Sequence, residues 1–196
     1  MKKVISLIAT GALSAGAVFA TNGYFQTSAS TIYKGFAGAG TALSRGMSAA
    51  GQNPALGVRA PGGFELGFSY FLPDRSVSVS GFPGPAPAPA MPLPLGTVGS
   101  IHEEFYIPQM AFNMNMDDST ALTFLVQANG GMDSHYPAAI FPGSTSPTGV
   151  DLSQVFLGMA YSRAIDDRSS WGITPTLVLQ RFQAFGLETF AMNSID

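Results

Sequence analysis

The chain of 196 residues contains no cysteine, which excludes disulfide scaffolds, thiolate zinc sites, iron–sulfur clusters and cysteine nucleophiles. Charge is nearly as scarce. Charged residues make up 11% of the sequence, against roughly 25% in an ordinary soluble protein. The formal net charge is −3 and Lys2-Lys3 is the one basic cluster. With so little to attract phosphate, no nucleic acid partner is expected. There are two histidines, His102 and His135, and no Gly-x-Ser-x-Gly elbow, Gly-Lys-Ser/Thr loop or Asp-x-Asp-x-Asp-Gly loop. Ser134-His135 is a sequence neighbour pair rather than a nucleophile and base, and Glu103-Glu104 and Asp117-Asp118 read as solvated loop and turn charges. No enzymatic activity, no cofactor and no metal site is therefore expected from these motifs.

What the chain does have is apolar and aromatic. Hydrophobic residues reach 46%, with 15 Phe, 6 Tyr and 23 Gly, far too much to bury for a disordered segment. Lys2-Lys3 followed by the apolar stretch 4–19 has the form of a secretory signal peptide, with cleavage expected after Val18-Phe19-Ala20 and a mature start at Thr21. Gly11, Ser14 and Gly16 dilute the run, which argues against a membrane helix, and no other segment approaches the roughly 20 apolar residues such a helix needs.

The mature chain divides at residue 63. From 64 onward, period-two alternation predicts strands over 64–72, 105–116, 120–129, 152–163 and 171–182. Phe64, Leu66, Phe68 and Tyr70 oppose Glu65, Gly67 and Ser69, and Met110, Phe112 and Met114 oppose Gln109, Ala111 and Asn113. A soluble sandwich puts Lys, Glu and Arg on its outward face. Here the polar face carries Asn, Gln, Thr, Ser and Gly, as the lumen side of a transmembrane barrel does. Short turns at 117–119 and 166–170 and long segments at 77–104 and 130–150 fit periplasmic turns and external loops. The expected fold is all-β, a transmembrane antiparallel barrel. Residues 21–63 are Gly-rich without strand periodicity, as a plug inside the lumen would be. Phe71, Phe156, Val178 and Phe182 fall on the inward parity and are candidate substrate contacts in the lumen, with Arg181 the candidate partner for a carboxylate.

Several stretches carry a resemblance, in order along the mature chain. They are Thr21-Asn22-Gly23-Tyr24-Phe25, Lys34-Gly35-Phe36-Ala37-Gly38-Ala39-Gly40-Thr41-Ala42, Gln52-Asn53-Pro54-Ala55, Phe71-Leu72-Pro73-Asp74-Arg75-Ser76, Ala128-Asn129-Gly130-Gly131-Met132, Gly149-Val150-Asp151-Leu152-Ser153-Gln154 and Leu179-Gln180-Arg181-Phe182. The set resembles the FadL/TodX family of outer-membrane transporters for long-chain fatty acids and hydrocarbons. The resemblance implies a fourteen-stranded barrel with an N-terminal hatch, a monomer in the outer membrane of a Gram-negative bacterium, and insertion by the barrel-assembly machinery. It also implies that a hydrophobic small molecule is released sideways into outer-membrane lipid, through a gap by a kinked third strand where Asn53, Pro54 and Ala55 lie. About five strands are too few to close a barrel, since those of bacterial outer membranes begin at about eight. The sequence is therefore expected to be the N-terminal portion of a longer protein. Two other functions fit the pattern: a structural or adhesive surface protein, for which the Pro-rich stretch 82–96 is a candidate binding arm, and a barrel enzyme acting on lipid.

Overall fold

A computed structural model describes residues 23–28, 30–80, 95–102, 104–137 and 146–187. The signal segment, Thr21-Asn22 and nearly all of the Pro-rich stretch lie outside the described residues. The described chain is mainly antiparallel β-sheet. It begins with two short helices, α1 (Thr31–Gly35) and α2 (Ala49–Gln52), and a 3-10 helix over Pro54–Arg59. Eight strands follow: β1 (Gly63–Phe71), β2 (Ser76–Val79), β3 (Gly96–Gly99), β4 (Phe105–Asp117), β5 (Thr120–Tyr136), β6 (Thr148–Ala164), β7 (Ser170–Ile173) and β8 (Thr176–Phe185). The main sheet runs β1-β4-β5-β6, and β7 and β8 both pair with β6. β2 and β3 form a separate hairpin. No helix among the described residues is long and apolar enough to cross a membrane.

Register follows the alternation. Phe64 pairs with Phe112, Leu66 with Met110 and Tyr70 with Tyr106, while Glu65 pairs with Ala111 and Gly67 with Gln109. One face of the sheet is open and carries the large apolar side chains: Leu66, Phe68, Tyr106, Ile173 and Leu177 are each about three-fifths exposed or more. Tyr70 and Tyr106 stack with ring centroids 5.2 Å apart. The opposite face is covered by residues 23–62. There Thr123, Ser162, Ala121, Ala160, Ala111 and Asn113 are essentially inaccessible to solvent. These side chains are small or polar because backbone approaches them closely. A Cβ on Gly57 of the 3-10 helix would lie 2.6 Å from Ser162 Oγ and 2.9 Å from Thr123 Oγ1. The buried apolar cluster sits in the covering segment itself, formed by Tyr33, Ala49, Leu56 and Ala60.

Three boundaries differ from the sequence expectation. Residues 130–150 are not one long loop, because β5 continues to Tyr136 and β6 starts at Thr148, paired Tyr136 to Thr148. The register shifts by one residue between Ala128 and Gly130. Such a bulge exchanges the faces beyond it and ends any simple period-two reading. The segment 77–104 contains the β2–β3 hairpin, with Val77 opposite Val98. The fifth strand is interrupted at Thr174-Pro175, although β7 and β8 keep a single register against β6. Met159 N–H donates to the Pro175 carbonyl at 3.2 Å, and Pro175 has no N–H to return.

Both short turns form as expected. Asp117 Oδ1 accepts from the N–H of Ser119 at 2.7 Å and from its hydroxyl at 2.8 Å. Asp166 Oδ1 accepts from the N–H groups of Arg168 and Ser169, each at 2.7 Å. A carboxylate or amide bonding backbone two residues ahead is a local turn former.

The sheet and its cover are joined through Asn113. Its amide donates to the carbonyls of Gly57 (3.1 Å), Ala60 (3.3 Å) and Pro61 (3.1 Å), and its Oδ1 accepts from Thr123 Oγ1 at 2.6 Å. Asn113→Leu removes all four contacts and leaves buried carbonyls unmatched, each worth about 1–3 kcal/mol. It should lower the urea-unfolding midpoint in detergent micelles by several tenths molar or more. An unchanged midpoint would mean that the covering segment does not depend on this residue.

Candidate functional site

The first described residues run along the β5 bulge. Phe25 bridges to Gly130, Gln26 N–H donates to the Asn129 carbonyl at 3.3 Å and Gly131 N–H donates to the Tyr24 carbonyl at 2.9 Å. The bulge frees backbone groups that a regular ladder would occupy, and this segment takes them. In α1, the Tyr33 hydroxyl donates to the Leu43 carbonyl at 2.5 Å and accepts from Arg45 N–H at 3.1 Å. Burial pushes its phenol above the ordinary value. Gly40, at φ +125°, lies so close beneath the ring that a Cβ there would sit 2.7 Å from it. Glu65, on the covered face, accepts from Ser48 N–H (3.1 Å), Ser48 Oγ (2.7 Å) and Gln109 Nε2 (3.2 Å). These three hydrogen bonds tie Glu65 to the cover and to β4, and it has no ion pair among the described residues.

Above this interface lies a cavity of about 1010 Å³. Tyr24, Phe25, Phe71, Phe105 and Leu152 give it apolar walls, and Lys34 and Arg75 bring positive charge to it. Lys34 Nζ donates to Ser69 Oγ at 2.7 Å and has no ion pair among the described residues. Partial burial pulls its pKa below the ordinary lysine value. The Arg75 guanidinium lies over the Phe105 ring, 5.2 Å from its centroid. Asp133 and Asp151 stand at the same cavity. Its dimensions and lining suit a mostly apolar molecule with a small polar head.

The sequence-predicted lumen residues are not all brought together. Phe71 lines the cavity. Phe156 lies on the covered face and meets the Phe25 ring edge-on at 6.3 Å. Val178 pairs with Phe156 and Phe182 with Leu152, so both share that face but stand on the edge strand away from the cavity. Arg181 stands elsewhere. The alternation of β8 places it with Leu177 and Leu179 on the open face, where its guanidinium is 3.9 Å from Asp151 and donates to Gln183 at 3.0 Å. Its side follows from the period-two pattern, and the register against β6 supplies its neighbour Asp151. The cations at the cavity are Lys34 and Arg75. Both were missed because one lies on a five-residue helix and the other after the end of β1, outside any periodic segment.

Asn53, Pro54 and Ala55 lie at the seam between the covering segment and β7. Asn53 is extended, at φ −152° and ψ 119°, as a residue before proline should be. Its side chain stays within the covering segment: Oδ1 accepts from Ala55 N–H at 3.1 Å and Nδ2 donates to the Thr41 carbonyl at 2.8 Å. Pro54 opens the 3-10 helix at a position where its missing donor costs nothing. The sheet is met through backbone instead. Ser170 Oγ donates to the Ala55 carbonyl at 2.8 Å, and Gly172 packs directly on Pro54, so that a Cβ there would be 2.5 Å from its carbonyl carbon. Arg59 Nη2 donates to the carbonyls of Asp166 (2.7 Å) and Ser169 (3.3 Å). The strand touched is β7, immediately before the interruption at Pro175.

Comparison with known proteins gives no match: no family model, no curated protein and no solved structure matches this chain.

Two measurements follow from this seam. Gly172→Ala drives a methyl into Pro54 backbone, at a cost of about 1–3 kcal/mol, and should make the Arg59 bond cleavable by trypsin; Gly99→Ala, with nothing within 4 Å, should change neither stability nor cleavage. Equal trypsin resistance in the Gly172 variant would show that the contact does not hold the segment in place. Asp166 is held below the ordinary carboxylate value of 3.8, first by Arg168 N–H, then by Ser169 N–H, with Arg59 adding charge. A depressed folded pKa gives stability that is present above the unfolded value and is lost as pH falls through the folded one. Asp166→Asn should therefore shrink the difference in unfolding midpoint between about pH 6 and about pH 3; a difference equal to that of the parent would remove Asp166 from the acid response.

Proposed function

We propose that the chain is the hatch and part of the wall of an outer-membrane barrel that carries hydrophobic compounds, long-chain fatty acids or hydrocarbons, from outside the cell into the membrane. The observation that carries this reading is the contrast between the two faces of one sheet. The open face presents aromatic and aliphatic side chains across β1, β4, β5, β6, β7 and β8, an apolar area far beyond what a soluble monomer ordinarily leaves in water. The covered face is polar, nearly free of charged side chains apart from Glu65, and closed by residues 23–62, the arrangement of a plugged lumen. The resemblance of the sequence to the FadL/TodX family supports the same reading. In it, β1 and the β7–β8 strand are edges that meet further strands of the wall, the outer face meets outer-membrane lipid, and the barrel-assembly machinery inserts the protein as a monomer.

The cavity gives the substrate its class. Its aromatic and aliphatic walls receive an apolar chain, and Lys34, with a single hydroxyl partner, is placed to receive a carboxylate head. The Asn53-Pro54-Ala55 turn fixes the hatch against β7 through Ser170 and Gly172. Next to it, the break at Pro175 opens the open face into a groove of about 530 Å³, lined by Phe124, Leu157, Met159 and Leu177. That groove is where an apolar ligand leaves toward lipid.

The test is uptake of labelled long-chain fatty acid and labelled alkane by cells whose outer membrane lacks its own route for them. Cells making the full-length protein should take up both. Lys34→Met should reduce fatty acid uptake several-fold while alkane uptake is kept, and Pro54→Ala should reduce both, with heat-modifiable gel mobility showing a folded barrel in each case. Uptake no higher than in cells without the protein, at normal levels of folded barrel, would reject the transport reading.

A further inference from the structure

The two histidines of the sequence, widely separated along the chain, come together at the end of the sheet away from the short turns. His102 follows the β2–β3 hairpin and His135 lies near the end of β5. Their rings are 4.2 Å apart, centroid to centroid. Asp133, two residues before His135 on the same strand and face, brings its Oδ2 to 3.2 Å from His102 Nδ1. One ligand atom from each of His102, Asp133 and His135 lies within 4.8 Å of the others. We propose that these three residues bind a divalent transition cation of the zinc class, and that this ion clamps the segment after the β2–β3 hairpin onto β5.

The donor set selects the class of ion. Two imidazoles and one carboxylate are ligands for zinc and its neighbours, whereas calcium and magnesium take oxygen shells. The spacing fits as well. Bonds of about 2.0–2.1 Å in a tetrahedron put neighbouring ligand atoms about 3.3–3.4 Å apart, and the His102–Asp133 separation of 3.2 Å is close to that. Asp133 Oδ1 is buried and without a hydrogen-bond partner, so its carboxylate is not fully satisfied by the protein alone.

The backbone holds the ligands in place before any ion arrives. Ile101 N–H donates to the His135 carbonyl at 2.7 Å, Ser100 N–H to the Arg75 carbonyl at 2.8 Å, and His135 N–H to Ser100 Oγ at 3.1 Å. Arg75 also donates to the His102 carbonyl. On its other side the His135 ring packs against Phe185, centroids 4.4 Å apart, which limits its rotation. The His102 side chain is half exposed, so the fourth coordination position faces outward and takes water. In the sheet order β4 lies between β1 and β5. An ion here therefore ties the connection leaving β1 to a strand that it does not neighbour. The proposal stands apart from the transport reading, since no part of it requires a closed barrel or a hydrophobic ligand.

The test uses the full chain folded in detergent micelles, freed of metal with EDTA and titrated with zinc chloride by calorimetry. One zinc ion per chain is expected, with affinity lowered by about tenfold or more in His102→Ala, His135→Ala and Asp133→Asn alike. A second measurement needs no variant: zinc should protect both histidines of the parent chain from diethylpyrocarbonate, detected by mass spectrometry. Absence of saturable binding, binding undiminished in the double variant His102→Ala/His135→Ala, or equal modification of both histidines with and without zinc would each overturn the proposal.

Discussion

The structure depends on one constraint: the polar face of the sheet is buried, so every amide and hydroxyl on it needs a partner from the segment that covers it. Asn113 answers most of that need. It is almost inaccessible, and its amide reaches three carbonyls of the 3-10 helix and the turn after it. Glu65 does the same for Ser48 with a charge. If the cover stayed in place without these bonds, each buried group left unmatched would cost about 1–3 kcal/mol. The requirement also accounts for the small residues around them. Ala111, Ala121, Ala160, Ser162 and Thr123 leave room for backbone, which is what supplies most of the acceptors.

The open face obeys the opposite rule. Its side chains are large and apolar, and their partners are chiefly each other across the strands, as in the Tyr70–Tyr106 and Phe112–Phe124 pairs. Aromatic cross-strand pairs of this kind contribute modestly, roughly 0.2–1 kcal/mol each. Their packing therefore leaves most of their surface open; in the proposed reading, outer-membrane lipid covers it.

Two sites in the fold arise where regular pairing fails. The bulge at Asn129 releases the backbone groups to which Tyr24 and Gln26 bind, and so places the aromatic residues that line the cavity. Past it, the exchange of faces puts Asp133 and His135 together on the side where His102 arrives. A strand that kept its original alternation would have turned them to the opposite face. The irregularities of the sheet, rather than its regular strands, position the chemistry.

The sequence by itself determined the period-two strands, the two carboxylate-capped turns, the contrast between an apolar and a neutral polar face, and the extended Asn53 before Pro54. Each rests on interactions within a few residues or on a periodicity that the backbone imposes. Tertiary structure decided the rest. Lys34 and Arg75 reach the cavity from irregular segments. Arg181 meets Asp151 through its register with β6. The Asn53 side chain bonds within its own segment while Ala55 and Pro54 meet β7 through backbone. His102 meets His135 only because a hairpin returns the chain to β5. The physical reason is common to all four: pairing partners distant in sequence are chosen by register and by bulges, and one residue of slippage reverses which side a group faces.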